Sequence, residues 1–140
     1  MTSEQNGLRF AAFATIAFGL LLALAAWPPL NLPIRLLSDL IIWPFDRTET
    51  LLASETRLAL AIGGGVMAGW GAMIWQLAGA PMRAAPEATR RIILTSALTW
   101  FCVDSAASVL AGAALNVLSN TAFLALFLWP MRRSARAVLA

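Results

Sequence analysis

Asp104 is the residue in this chain best placed to do chemistry, because it is the only charge among the 40 residues 92–131. A run that apolar belongs in lipid, where a charge near the centre costs at least ~2.5 kcal/mol on insertion scales unless protein or water surrounds it. Oxygen-bearing side chains recur around it. Ser105 and Ser108 follow on its own segment, and Asn116, Ser119 and Asn120 lie on the next. Asp104 and Ser108 are four apart and share a helix face, as do Asn116 and Asn120. Such a cluster supports two kinds of chemistry. It can clamp two helices by hydrogen bonds, at about 0.6 kcal/mol per bond, or it can hold a proton or hard cation on a transport path. One acid without a second acid, a base or a metal set does not make an active site, so no catalytic residue is expected.

Other chemistry is thinly supplied. The chain has no His, which removes the usual ligand of haem and zinc and the usual general base near neutral pH, so neither a metal nor a cofactor is expected. Cys102 is the single cysteine, cannot form an internal disulfide, and reads as a small buried apolar residue. The Gly63-Gly64-Gly65 run lies in an apolar stretch and lacks the Lys and Ser/Thr of a phosphate-binding loop.

Elements must hold these side chains, and composition says which kind. Of 140 residues, 60% are hydrophobic and 12% charged, against about 25% charged in an ordinary soluble domain, too little polar surface to wrap a water-soluble globule. The net charge of +3 is a small excess of Arg over acids. The ten Arg sit beside apolar runs and form no separate basic stripe, so nucleic acid is not an expected partner; the lipid bilayer is.

The fold expected is a single all-α domain, an integral membrane four-helix bundle with spans at residues 10–27, 58–77, 92–111 and 114–129. The first is uncharged, about 27 Å long as a helix, and stops at Pro28 and Pro29. It also has the form of a leader, since Arg9 precedes the apolar core and Ala23-Leu24-Ala25 resembles a cleavage site. Residues 31–45 are too short and too charged to span. They place Leu36, Leu37, Leu40 and Ile41 opposite Arg35, Ser38 and Asp39, as an amphipathic interfacial helix with Asn31 as N-cap and Pro44 as stop, or as a helix packed on the end of the bundle. Asp46 and Glu49 resemble a capping pair, predicting that the second long helix starts near Thr48. Residues 92–131 as one helix would measure about 60 Å, so they must fold back in a tight hairpin near Gly112.

Two further clusters stand out. On the second span, Ala61, Gly65 and Gly69, beside Gly64, Ala68 and Ala72, make a face of nearly bare backbone on which another helix can pack, from this chain or another. Trp70 and Trp100 lie away from the expected interfacial belts and are suited to core packing or to a pocket for a flat apolar ligand.

Orientation follows from Arg. If the N-terminus is inside, Arg9, Arg83, Arg90, Arg91, Arg132, Arg133 and Arg136 are inside, and Arg35, Arg47 and Arg57 outside, which predicts both termini inside.

Residues 64–73 (Gly-Gly-Val-Met-Ala-Gly-Trp-Gly-Ala-Met), with Thr99-Trp100-Phe101, Asp104-Ser105, Gly112 and Leu115-Asn116-Val117, resemble uncharacterised small bacterial four-span inner-membrane proteins. The resemblance covers mainly spans two to four and implies no activity. Small multidrug-resistance transporters share the four-span size, but they carry their essential acid as Glu in the first span, where residues 10–27 have none. The function expected is therefore that of a non-enzymatic protein of the bacterial inner membrane, an accessory or assembly subunit or a homo-oligomer. The alternative is a small transporter or channel subunit using Asp104.

Overall fold

A computed structural model of the chain describes residues 1–137, with side chains through Arg132; the side chains of Arg133 and Arg136, counted above, lie outside the described residues. The fold is all-α. Helices α1 (Ser3–Ala25), α3 (Ser54–Leu77), α5 (Pro86–Leu110) and α6 (Asn116–Ala137) run alternately up and down. Short helices α2 (Leu32–Ile41) and α4 (Ala80–Ala84) lie in the connections, and a 3-10 turn at Pro28–Leu30 precedes α2. Three stretches are long and apolar enough to cross a membrane: Ser3–Ala25, Ser54–Ala84 and Pro86–Leu110. The exterior is apolar, with Phe10, Phe13, Leu20, Ile62, Val66 and Val103 all exposed, as suits a bundle solvated by lipid.

Helix α1 starts seven residues before its apolar run. Thr2 and Gln5 form a reciprocal cap, the Thr2 side chain accepting from the Gln5 N–H and the Gln5 side chain accepting from the Thr2 N–H, which satisfies two otherwise orphaned donors. The first helix thus does contain an acid, Glu4. At its other end Pro28 and Pro29 stop it as expected, and Arg57 donates from Nε to the Ala26 carbonyl at 2.7 Å.

Two predicted caps fail. Asn31 has helical backbone angles and makes no cap bond; its Nδ2 donates instead to the Thr50 carbonyl at 3.3 Å. Asp46 accepts from the Thr48 hydroxyl at 2.7 Å and the Thr48 N–H at 3.1 Å, bonds that hold its carboxyl below the usual carboxylate range, but the result is a turn. Leu51 at φ 55° blocks any helix through this segment, so α3 begins at Ser54 and not near Thr48.

The hairpin falls where Gly112 allows it. Gly112 has φ 81°, its N–H bonds the Val109 carbonyl at 3.1 Å, and the Ala113 N–H bonds that of Ser108 at 2.8 Å, the paired bonds of a glycine-terminated helix. Helix α6 continues past Trp129 through Pro130, whose ring fills the space beside Gly7; a Cβ at Gly7 would lie 2.6 Å from it.

Helices α1 and α3 meet backbone to backbone. A Cβ on Gly19 would lie 2.5 Å from the Ala68 nitrogen, and one on Gly71 would lie 2.9 Å from the Ala12 carbonyl. Gly64 abuts Gly19 and Ala23 just as closely. The core collects toward the end of the bundle that carries the chain termini, around Leu8, Ala12, Ile74, Ile93, Leu124 and Phe127. Cys102, expected inside, is exposed on the outer surface of α5.

Gly19→Leu and Gly64→Leu should each destabilise the bundle by about 3 kcal/mol, since a side chain there must push two backbones apart. Gly65→Leu and Gly69→Leu should leave single-chain stability unchanged, because among the described residues no other helix lies within 4 Å of a Cβ at either position. Thermal unfolding in detergent measures all four, and equal losses in both pairs would contradict the packing described.

Candidate functional site

The oxygen-bearing residues picked out by spacing converge. Once the Gly112 turn folds α6 back along α5, three donors reach one carboxylate oxygen. Asp104 Oδ1 accepts from Ser108 Oγ at 3.1 Å, from Asn116 Nδ2 at 3.1 Å and from Asn120 Nδ2 at 2.9 Å. Asn116 Nδ2 also donates to Ser108 Oγ at 2.9 Å, and Asn120 Nδ2 to Ser105 Oγ at 3.2 Å. Ser119 is exposed and takes no part in these bonds, although it borders the cavity described next. Arg57, at the start of α3, is committed to the end of α1 through the Ala26 carbonyl and makes no bond to Asp104.

Beside this hub lies a cavity of about 430 Å³, within the range of small-molecule sites. Every helix except α4 contributes to its wall: Phe18 and Leu22 of α1; Ile34, Leu37, Ser38 and Ile41 of α2; Leu60 and Met67 of α3; Trp100 and Asp104 of α5; Asn116, Asn120 and Phe123 of α6. Its location corrects the reading of α2. The face that packs inward is Ile34, Leu37, Ser38 and Ile41, whereas Leu36 and Leu40, grouped by spacing on one face with Leu37 and Ile41, are exposed together with Leu32. The helix therefore has apolar side chains on two faces, with Arg35 and Asp39 between them. Arg35 and Asp39 turn toward the loop that covers α2, where Arg35 Nε donates to the Glu49 carbonyl at 3.0 Å and the Arg47 N–H bonds the Asp39 carboxylate.

An aromatic layer separates the cavity from the packed core. Ring centroids lie 6.0 Å apart for Phe18 and Phe123, 5.6 Å for Trp100 and Phe123, 5.8 Å for Trp70 and Trp100, and 5.4 Å for Trp70 and Phe127. The two Trp grouped as a pocket thus divide. Trp100 lines the cavity, while Trp70 packs on the core side and donates from Nε1 to Ser96 Oγ at 2.7 Å.

The bare face of α3 divides too. Gly64 and Ala68 meet α1; Ala61, Gly65, Gly69 and Ala72 are exposed.

A second polar group, at the opposite end of the bundle, was not singled out by sequence. Glu4, 6% exposed, takes a bidentate pair from Arg90, 2.6 Å from Nε and 2.7 Å from Nη2. Gln5 Nε2 donates to the carbonyls of Ala78 and Gly79 at 3.0 Å each, satisfying the C-terminus of α3. The available signal was the Thr2–Gln5 spacing, which would have extended α1 back to include both residues.

Replacing Asp104 by Asn keeps an acceptor for the hub and should change stability by less than about 1 kcal/mol. Asp104→Leu leaves three donors facing an apolar side chain and should cost about 2 kcal/mol. Thermal unfolding of both variants decides; comparable losses would show that the negative charge itself, and not hydrogen bonding, holds the hairpin.

Comparison of the chain with protein-family models, with curated proteins and with solved structures finds no match.

Proposed function

We propose that this chain is a non-enzymatic four-span protein of the bacterial inner membrane, with both termini inside, that works by associating with other membrane helices as an accessory or assembly subunit or as a homo-oligomer. Helix α6 would be the fourth span, paired with α5 in a lipid-embedded hairpin. The observation that carries this reading is the outer face of α3. After α1 has occupied Gly64 and Gly71, the ridge Ala61, Gly65, Gly69 and Ala72 remains exposed, and among the described residues no other helix comes within 4 Å of a Cβ at Gly65 or Gly69. Such ridges are the usual contact surfaces in lipid, where no hydrophobic drive brings helices together.

The second reading is a small transporter or channel subunit. The cavity favours it, because Asp104 borders space and is not sealed between helices.

Topology reporters placed after Asp46, Ala85, Ala113 and Ala140 should read outside, inside, outside and inside in that order. An outside signal at Ala85 would overturn the orientation. For association, Gly65→Leu and Gly69→Leu should insert normally and shrink the complex seen in mild detergent, since each adds a branched side chain where two backbones are proposed to meet. Unchanged complex size in both variants would remove the association reading. Loss of pH-gradient-driven flux in Asp104→Asn, with the bundle intact, would support the second.

A further inference from the structure

The hydrogen-bond inventory of the hub says what the cavity can recognise. Each Asn amide has two N–H donors, and here all four are used: those of Asn116 on Asp104 and Ser108, those of Asn120 on Asp104 and Ser105. Asp104 Oδ1 is occupied three times over. On the hub residues that line the cavity, the atoms left without a partner among the described residues are Asp104 Oδ2, Asn116 Oδ1 and Asn120 Oδ1. All three are acceptors, all belong to residues lining the cavity, and Asn120 is only 5% exposed. The serine hydroxyls of Ser38 and Ser119 at the same wall can turn either way. The rest of the lining is apolar and partly aromatic, with Phe18, Trp100 and Phe123 along the mid-bundle layer.

A ligand matching this wall has an apolar body and a head that donates hydrogen bonds. A head with acceptors only, such as a quinone carbonyl, an ester or a carboxylate, would face three acceptor oxygens of the same polarity. One further feature separates an ammonium head from a neutral hydroxyl. The only ionisable group among the described residues of the cavity wall is an acid, which favours a cation by charge pairing.

We propose that the cavity is a binding site for a lipophilic amine, an alkyl or arylalkyl ammonium whose N–H groups bond Asp104 Oδ2 and the two Asn carbonyl oxygens while its body lies among Phe18, Leu37, Leu60 and Trp100. Helix α2 supplies one wall, so the site is complete only with α2 in place. This goes beyond association through α3, because none of Ala61, Gly65, Gly69 and Ala72 lines the cavity. It gives the transport reading a substrate class without depending on it.

The test uses the full chain in phosphatidylcholine nanodiscs, with empty nanodiscs subtracting partition into lipid, and equilibrium dialysis of three probes that share one body: 4-phenylbutylamine, 4-phenylbutanol and 4-phenylbutyrate. The amine should bind saturably and at least about tenfold more tightly than the alcohol, and the carboxylate should show no saturable binding. Asp104→Asn should bring the amine down to the affinity of the alcohol. Leu37→Trp, which leaves the hub intact and fills the cavity from α2, should abolish saturable binding of both and keeps the proposal open to test if Asp104→Asn folds poorly. Equal binding of all three heads would mean that the cavity takes any apolar body, as a lipid chain would, and would overturn the proposal. So would tighter binding of the alcohol than the amine, unchanged amine affinity in either variant, or no saturable binding at all. Loss of association in Gly65→Leu with amine binding retained would separate the two functions.

Discussion

One carboxylate oxygen organises half of this molecule. Asp104 Oδ1 collects hydrogen bonds from Ser108, Asn116 and Asn120, and these bonds fix where α6 lies along α5. Helix α5 has β-branched and aromatic side chains spread around it, and α6 is polar at its start, so neither offers the other a long continuous apolar seam in this half of the hairpin. Register there is set by polar groups that have no better partner. In an apolar surrounding an amide or hydroxyl left unpaired costs more than the modest net gain of pairing it, so the cluster acts through the penalty of any other arrangement.

The opposite half is held differently. Glycines bring α1 and α3 into backbone contact, Pro130 fits beside Gly7, and large side chains such as Leu8, Ile74 and Phe127 fill the remaining volume. The polar groups here are terminal: Gln5 satisfies the last carbonyls of α3, and the Glu4–Arg90 pair ties the start of α1 to the start of α5. Close packing at this end and a hydrogen-bonded wall at the other leave the space between α1, α3, α5 and α6 unfilled at the α2 end. The aromatic layer of Phe18, Trp100, Phe123, Trp70 and Phe127 marks the boundary between the two regimes.

That asymmetry gives α2 its place. A ten-residue helix carrying Arg35 and Asp39 would lie poorly in an apolar interior, yet Ile34, Leu37 and Ile41 cover the open end while the charged side chains turn to the loop that follows. The loop is held by polar contacts, from Asn31 to Thr50 and from Arg35 to Glu49, which anchor it across the helix it leaves. Leu32, Leu36 and Leu40 remain on the far side, exposed.

Much of the architecture is legible in the sequence. An apolar run twice the thickness of a bilayer must turn, and Gly112 was its weakest point; proline pairs end helices; an isolated acid in such a run must be surrounded by polar side chains, and spacing of four put Asn116 and Asn120 on one face. These conclusions rest on period, length and the cost of unpaired charge, all of them local or one-dimensional. Composition also sufficed for the all-α class and for helices apolar enough to cross a membrane. Tertiary structure decided the rest, because each remaining question concerned which of several equivalent faces meets what. Gly64 and Gly65 are adjacent and chemically identical, yet one touches α1 and the other meets no helix among the described residues, which depends on the rotation of α3 about its axis. Leu36 and Leu37 are likewise indistinguishable in sequence, and only the position of the cavity separates an inward from an outward leucine. The cavity itself is written in no segment, since it is the volume that five helices fail to fill when one end is closed by backbone contact and the other by a carboxylate.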